Sequence, residues 1–156
     1  MSARPHLGEV PEGCEELQLP FGIGSGRSAF GERVQMHFFV RGEDSRVIGR
    51  VWFDDMPVGP PGHSHGGAVA YVLDEAMGCA VWAAGRPSVA GELNIRYRHM
   101  TPLKTALTVE SWIEGVDGRK SQVRSVLKSR DGEPLVEGRA IFVVLPKDKL
   151  AELAWK

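Results

Sequence analysis

Two acidic residues, Asp74 and Glu75, stand side by side inside an otherwise apolar run, "AVAYVLDEAMGCAVWAA", from Ala68 to Ala84. A carboxylate in apolar surroundings costs free energy unless it is paired. Such a placement suits a group that takes up a proton or attacks a carbonyl. Immediately ahead of the run comes "HSHGG", His63 to Gly67. Two glycines at a helix start let a ligand come close to the backbone. The first turn of a helix also offers unpaired N–H groups and the positive end of the dipole. That combination suits an oxyanion or another anionic group. Taken singly, each feature has a plainer reading: an exposed or arginine-paired acid, and a tight glycine turn.

Helix geometry sharpens the reading. At 1.5 Å per residue Asp74 lies about 12 Å along the axis from Gly66, too far for both to reach one carbonyl. If they share a site, a second copy must supply one of them, and a twofold axis then creates two such sites. Successive residues are about 100° apart around the axis, so Asp74 and Glu75 cannot face one substrate. Asp74 shares a face with Gly67, Ala70 and Tyr71 and is the candidate base, whereas Glu75 is expected to pair with an arginine or orient a neighbour. His63 and His65 have metal-ligand spacing, but no third ligand stands nearby, so no metal is expected. His65 is expected to act as an orienting donor to a bound carbonyl.

The elements that must hold these groups follow from periodicity. "RVQMHFFV" alternates, with Val34, Met36, Phe38 and Val40 on one side, as a half-buried strand requires. "RVIGRVWF" is a second strand beyond the turn "RGEDS", and the prolines of "DDMPVGPPG" end it. The helix stops at Gly85, with Pro87 just beyond. "AGELNIRYRH", "LTVESWIEGV", "KSQVRSVLKS" and "LVEGRAIFVVL" then read as four strands, with turns at Asp117-Gly118 and Asp131-Gly132. Short connections imply an antiparallel sheet, and one long apolar helix on it gives a two-layer α+β domain. Residues 1–30 read as an irregular lead-in with a short helix near Cys14 to Leu17, residues 31–146 as the domain, and residues 147–156 as a tail or short helix.

Bulk properties narrow the partners. Nineteen Lys and Arg stand against 20 Asp and Glu in 156 residues, a formal net charge of −1. The basic residues are scattered, so neither nucleic acid nor an anionic membrane is an expected partner. The apolar run is too short to span a bilayer and carries two acids. "MSARPHLGEVPEG" has no hydrophobic central region, and Cys14 and Cys79 lie far apart. A soluble cytoplasmic protein with reduced thiols is the expectation. Trp52, Phe53, Trp82 and Trp112 suit either an apolar tunnel or ordinary core packing.

"GPPGHSHGG", an Asp nine positions after His65, and "ELNIRYRHMTPL" together resemble the hot dog-fold acyl-CoA thioesterases. The PaaI-like branch of the 4-hydroxybenzoyl-CoA thioesterase superfamily is the best match, over roughly Val34 to Leu145. The resemblance implies an antiparallel sheet wrapped around one long helix and a homodimer or homotetramer with active sites between chains. It implies an acyl-CoA substrate, Asp74 as general base or nucleophile, and the Gly66 N–H in the oxyanion hole, with His65 and Gly67 beside it. Arg96, Arg98, Arg119, Lys120 and Ser121 are implied to hold the CoA portion, and no metal or redox cofactor is implied. Two positions depart from the pattern: Ala90 stands where many relatives carry Thr or Ser, and Gly59-Pro60 where some carry Asn or Gln. These departures keep open an alternative, a non-catalytic acyl-CoA binding or sensing domain of the same fold.

Overall fold

A computed structural model describes residues 7–154. The elements follow in the order β1 (Cys14–Glu16), β2 (Val34–Arg41), β3 (Val47–Phe53), α1 (Gly66–Ala83), β4 (Ser88–Tyr97), β5 (Leu107–Asp117), β6 (Lys120–Lys128), β7 (Pro134–Val144) and α2 (Lys147–Ala154). The strands form one antiparallel sheet in the order β1-β2-β3-β5-β6-β7-β4. The chain leaves β3, builds α1 across the sheet, and returns at the far edge as β4, which among the described residues pairs only with β7.

α1 starts where the prolines stop. His65 is its N-cap, with φ −58° and ψ 135°, and the His65 ring accepts the Gly67 N–H. The helix ends at Ala84, and Gly85 adopts φ +74° past it, a left-handed conformation that glycine takes without a Cβ penalty. Cross-strand pairs share a face, so Val34↔Phe53 and Met36↔Val51 turn together towards α1. Those side chains pack with Val72, Leu73, Ala76 and Met77 of α1 and with Val109, Val123, Leu127 and Val136 of the later strands. α1 seats closely on β7 because Gly138 has no Cβ; a methyl there would meet Ser125 Oγ and the side chains of Met77 and Leu73.

Two local expectations are corrected. Cys14 to Leu17 does not form a short helix: Cys14–Glu16 is the strand β1, paired with Arg41, Val40 and Phe39. A lone helical turn is costly to nucleate, whereas the edge of β2 offers ready backbone partners. In β2 the alternation fails at its end, where Phe39 is fully buried on the outer face and Val40 only partly buried. Ile48 and Trp52, on the same outer face of β3, are buried with it.

The lead-in beyond β1 is a strap laid antiparallel along α1. Phe21 meets Trp82 edge to face at 5.7 Å, the Gly24 N–H donates to Glu75 at 3.1 Å, and the Ala29 N–H donates to the Tyr71 hydroxyl at 3.2 Å. Phe30 packs on Tyr71 with ring centroids 5.3 Å apart. The strap covers one flank of the helix. A neighbouring stripe of Gly67, Ala70, Asp74 and Gly78 keeps access to solvent. A helix this apolar is therefore not enclosed on every side, and the open stripe holds the acid.

Candidate active site

The start of α1 leaves one donor unused. Of its first four N–H groups, that of Gly67 donates to His65 Nδ1 at 3.0 Å, and those of Ala68 and Val69 donate to the His65 carbonyl at 3.1 and 3.2 Å. The Gly66 N–H has no acceptor among the described residues. It stands at the positive end of an 18-residue helix, where a carbonyl oxygen gaining negative charge is stabilised. His65, expected to orient substrate, also has a structural task as the cap. Because Nδ1 accepts, the proton of the neutral ring sits on Nε2, which is left as a donor. Gly59 makes room below: it holds φ +119°, and a Cβ there would lie 3.1 Å from the His65 nitrogen. An Asn or Gln at this position would not fit the same path.

Tyr97 completes the entry and was missed by the sequence reading. Its hydroxyl donates to the Gly66 carbonyl at 2.6 Å, tying the end of β4 to the first turn of α1. The alternation Leu93, Ile95, Tyr97 does mark one face of the strand, but nothing in it distinguishes a tethering tyrosine from a core one. Burial pushes the Tyr97 phenol above its ordinary value, so it remains a donor. Gly66, Val69, Tyr97, Arg98, Met100 and Thr101 help line a cleft of about 310 Å³ beside the free N–H.

Asp74 lies midway along α1, half-buried, and its carboxylate has no hydrogen bond or ion pair among the described residues. Burial pushes its pKa above the ordinary carboxylate value, which makes it a stronger base when ionised. Glu75 is different. Burial also raises it, the Gly24 N–H partly offsets that, and the neighbouring Asp74 charge raises it further. Of the two roles expected from the sequence, pairing with an arginine or orienting a neighbour, the arginine pairing is absent among the described residues: the partner of Glu75 is the Gly24 N–H of the strap.

The cationic residues are not gathered at one place within a single chain. Arg98 lies at the rim of the cleft and pairs with Glu137 at 3.2 Å. Arg96 lies on the outer face of the sheet among Glu92, Glu137 and Arg139, on the side away from α1. Arg119 and Lys120 are exposed at the β5–β6 turn, where the Arg119 guanidinium donates to the Val144 carbonyl at 3.0 Å. Ser121 is fully buried, and its Oγ accepts from Arg86 Nε at 2.9 Å. Arg86 follows the end of α1, so this group sits about 27 Å of helix rise from Gly66. Among the described residues there is no cluster of three or more groups able to hold a metal. No helix of the described residues is long and apolar enough to cross a membrane.

Among the described residues the outer edge of β4 is unpaired over its ten residues, with Leu93 and Tyr97 43% and 50% exposed on the side facing α1. Ala90 lies on that same inner side, opposite Phe142. Long open edges with exposed apolar residues are sites for pairing with another chain.

One antiparallel sheet wrapped over one long helix is the hot dog architecture. A model described as "Thioesterase superfamily" matches residues 61–136, which hold the glycine entry, Asp74 and Tyr97. The chain is 35% identical over 92 residues to acyl-coenzyme A thioesterase THEM4 of Rattus norvegicus, covering 58% of this chain and 40% of that protein. It is 34% identical over 89 residues to THEM4 of Xenopus laevis, covering 56% of this chain and 40% of that protein. The matched segment thus spans about two fifths of the length of these curated relatives. Among solved structures, a thioesterase superfamily protein superposes with a TM-score of 0.65 at 33% identity, over 70% of this chain and 53% of that one. A hypothetical thioesterase from Streptococcus pneumoniae TIGR4, crystallised with coenzyme A, superposes with a TM-score of 0.65 at 17% identity, over 71% and 86%. Residues 61–136 of the chain are thus similar to the thioesterase superfamily.

Proposed function

We propose that this protein hydrolyses acyl-CoA thioesters to the free acid and CoA. The observation that carries the reading is the Gly66 N–H, without an acceptor among the described residues, at the start of the helix whose middle holds the half-buried Asp74, which has no partner among them. The thioester carbonyl accepts from the Gly66 N–H, with His65 Nε2–H beside it. Asp74 of a second copy takes a proton from water as the water adds to the carbonyl, or adds directly to give an anhydride that water then opens. The C–S bond breaks as the tetrahedral centre collapses, and the CoA sulfur leaves with a proton. The separation of Gly66 and Asp74 along one helix supports a homodimer or homotetramer with shared sites, and the open edge of β4 supports the same assembly. In it Arg96, Arg98, Arg119 and Lys120 hold the phosphates and pantetheine of CoA, with Ser121 beneath the turn that presents two of them. Membership of the PaaI-like branch rests on "GPPGHSHGG" with Asp74 at its spacing. A cytoplasmic site of action is supported by the free Cys14 and Cys79.

A second reading has one observation in its favour. Ala90 faces α1 without the hydroxyl that would assist an attacking water, which suits a domain that binds acyl-CoA without turning it over. A panel of acyl-CoA substrates with free-thiol detection, run on the native chain and Asp74→Asn, separates the two. Turnover by the native protein alone supports hydrolysis. Tight binding without turnover by either supports the binding domain. Light scattering on the same samples reads the assembly, and a fully active monomer removes the shared site.

A further inference from the structure

The Gly66–Gly67 peptide unit is gripped from both sides. Tyr97 donates to its carbonyl at 2.6 Å, and its N–H donates to His65 Nδ1 at 3.0 Å. Two successive glycines restrain the backbone little by themselves, so these two bonds add to the helix bond from the Ala70 N–H in holding the peptide plane. They also form one chain, from the Tyr97 hydroxyl through the peptide to the imidazole. Hydrogen bonds in such a chain polarise one another, each strengthening the next. Tyr97 reaches the entry from β4, 31 positions along the sequence, on the edge strand with its open side.

We infer that Tyr97 is a positioning residue: through the Gly66–Gly67 peptide it holds His65 in the Nε2–H tautomer, so that the ring presents a donor beside the free Gly66 N–H. The catalytic consequence rests on the proposed thioesterase reading; the tautomer does not. Without the hydroxyl the peptide keeps only its helix bond on the carbonyl side, the Gly67 N–H···Nδ1 bond weakens, and the imidazole proton then distributes between its two nitrogens. Tyr97 makes no contact with a reacting atom in this account. It sets the direction of the groups that do.

The test is ¹⁵N NMR of the His65 ring at a pH where the ring is neutral, on the native protein and Tyr97→Phe, which removes one oxygen and keeps the ring packed against Gly66. The native protein should show a single Nε2–H tautomer, and Tyr97→Phe a mixture of both. In acyl-CoA turnover, Tyr97→Phe should lower kcat by about tenfold, the scale of one lost hydrogen bond at the transition state, with KM nearly unchanged. Unchanged His65 ring shifts in a folded Tyr97→Phe overturn the inference. So does a native His65 found in the Nδ1–H form or as an even mixture, a result that needs no variant to fold. If the tautomer responds while neither protein hydrolyses any acyl-CoA, the positioning role stands and the proposed activity falls.

Discussion

Replacing Gly66 with proline tests the oxyanion donor while leaving the helix intact. Gly66 is the first helical residue, the position where proline is best tolerated because its missing N–H would have no helical partner. Here that N–H has no acceptor among the described residues, so the substitution removes no intramolecular bond. Proline also demands an extended ψ from the residue before it, and His65 already holds ψ 135°. A Cβ at Gly66 meets the Tyr97 oxygen at 3.5 Å, an ordinary contact. A proline whose native geometry fits stabilises by about 0.4–1 kcal/mol through the unfolded chain. For a domain of this size that corresponds to a rise in Tm of about 1–4 °C. Activity should move the other way. Loss of one oxyanion donor costs about 10²–10³-fold in kcat, or about 2.7–4 kcal/mol. Gly66→Ala, which keeps the N–H, is the control and should stay near the native rate. The assay is thiol release from a substrate acyl-CoA, with Tm by calorimetry and the oligomer checked by light scattering. A Gly66→Pro variant that keeps both its Tm and the native kcat would refute the role given to this N–H.

Asp74→Asn should lower kcat by roughly 10²-fold or more, the scale of general-base loss, yet raise Tm, because the carboxylate has no bond to lose and burial opposes its charge. The native Asp74 pKa is raised, so between the ordinary carboxylate value and the native one the folded chain holds more proton than the unfolded chain. Stability therefore falls as pH rises through that window, and calorimetry against pH should find this slope reduced in Asp74→Asn; a steeper slope contradicts the assignment. Glu75→Ala removes the acceptor for the Gly24 N–H and should cost about 1 kcal/mol, with faster hydrogen exchange at Gly24 and only a small loss in kcat. Glu75→Gln keeps an acceptor oxygen and should lose less. Neutralising Arg96, Arg98, Arg119 or Lys120 should raise KM more than it lowers kcat, with the effect shrinking at high salt; KM unchanged in all four returns them to surface charge.

Much of the fold was legible because its signals are local. The prolines before His65, the apolar run of α1 and Gly85 after it delimit the helix within a few residues at each end. Alternation in the four later strands, with glycine turns between three of them, gives an antiparallel sheet. The rise of a helix alone separates Gly66 from Asp74, and its pitch separates Asp74 from Glu75. These follow from residue type and spacing, and no fold is needed to read them. The strand at Cys14, the burial of Phe39 on the outer face, the strap along α1, the open stripe around Asp74 and the Tyr97 tether were decided only by the tertiary structure. Their bonds join distant positions: Gly24 to Glu75 across 51 residues, and Tyr97 to Gly66 across 31. At one end of each bond is a backbone N–H or carbonyl, a group that nearly every residue carries and that leaves no mark in the sequence.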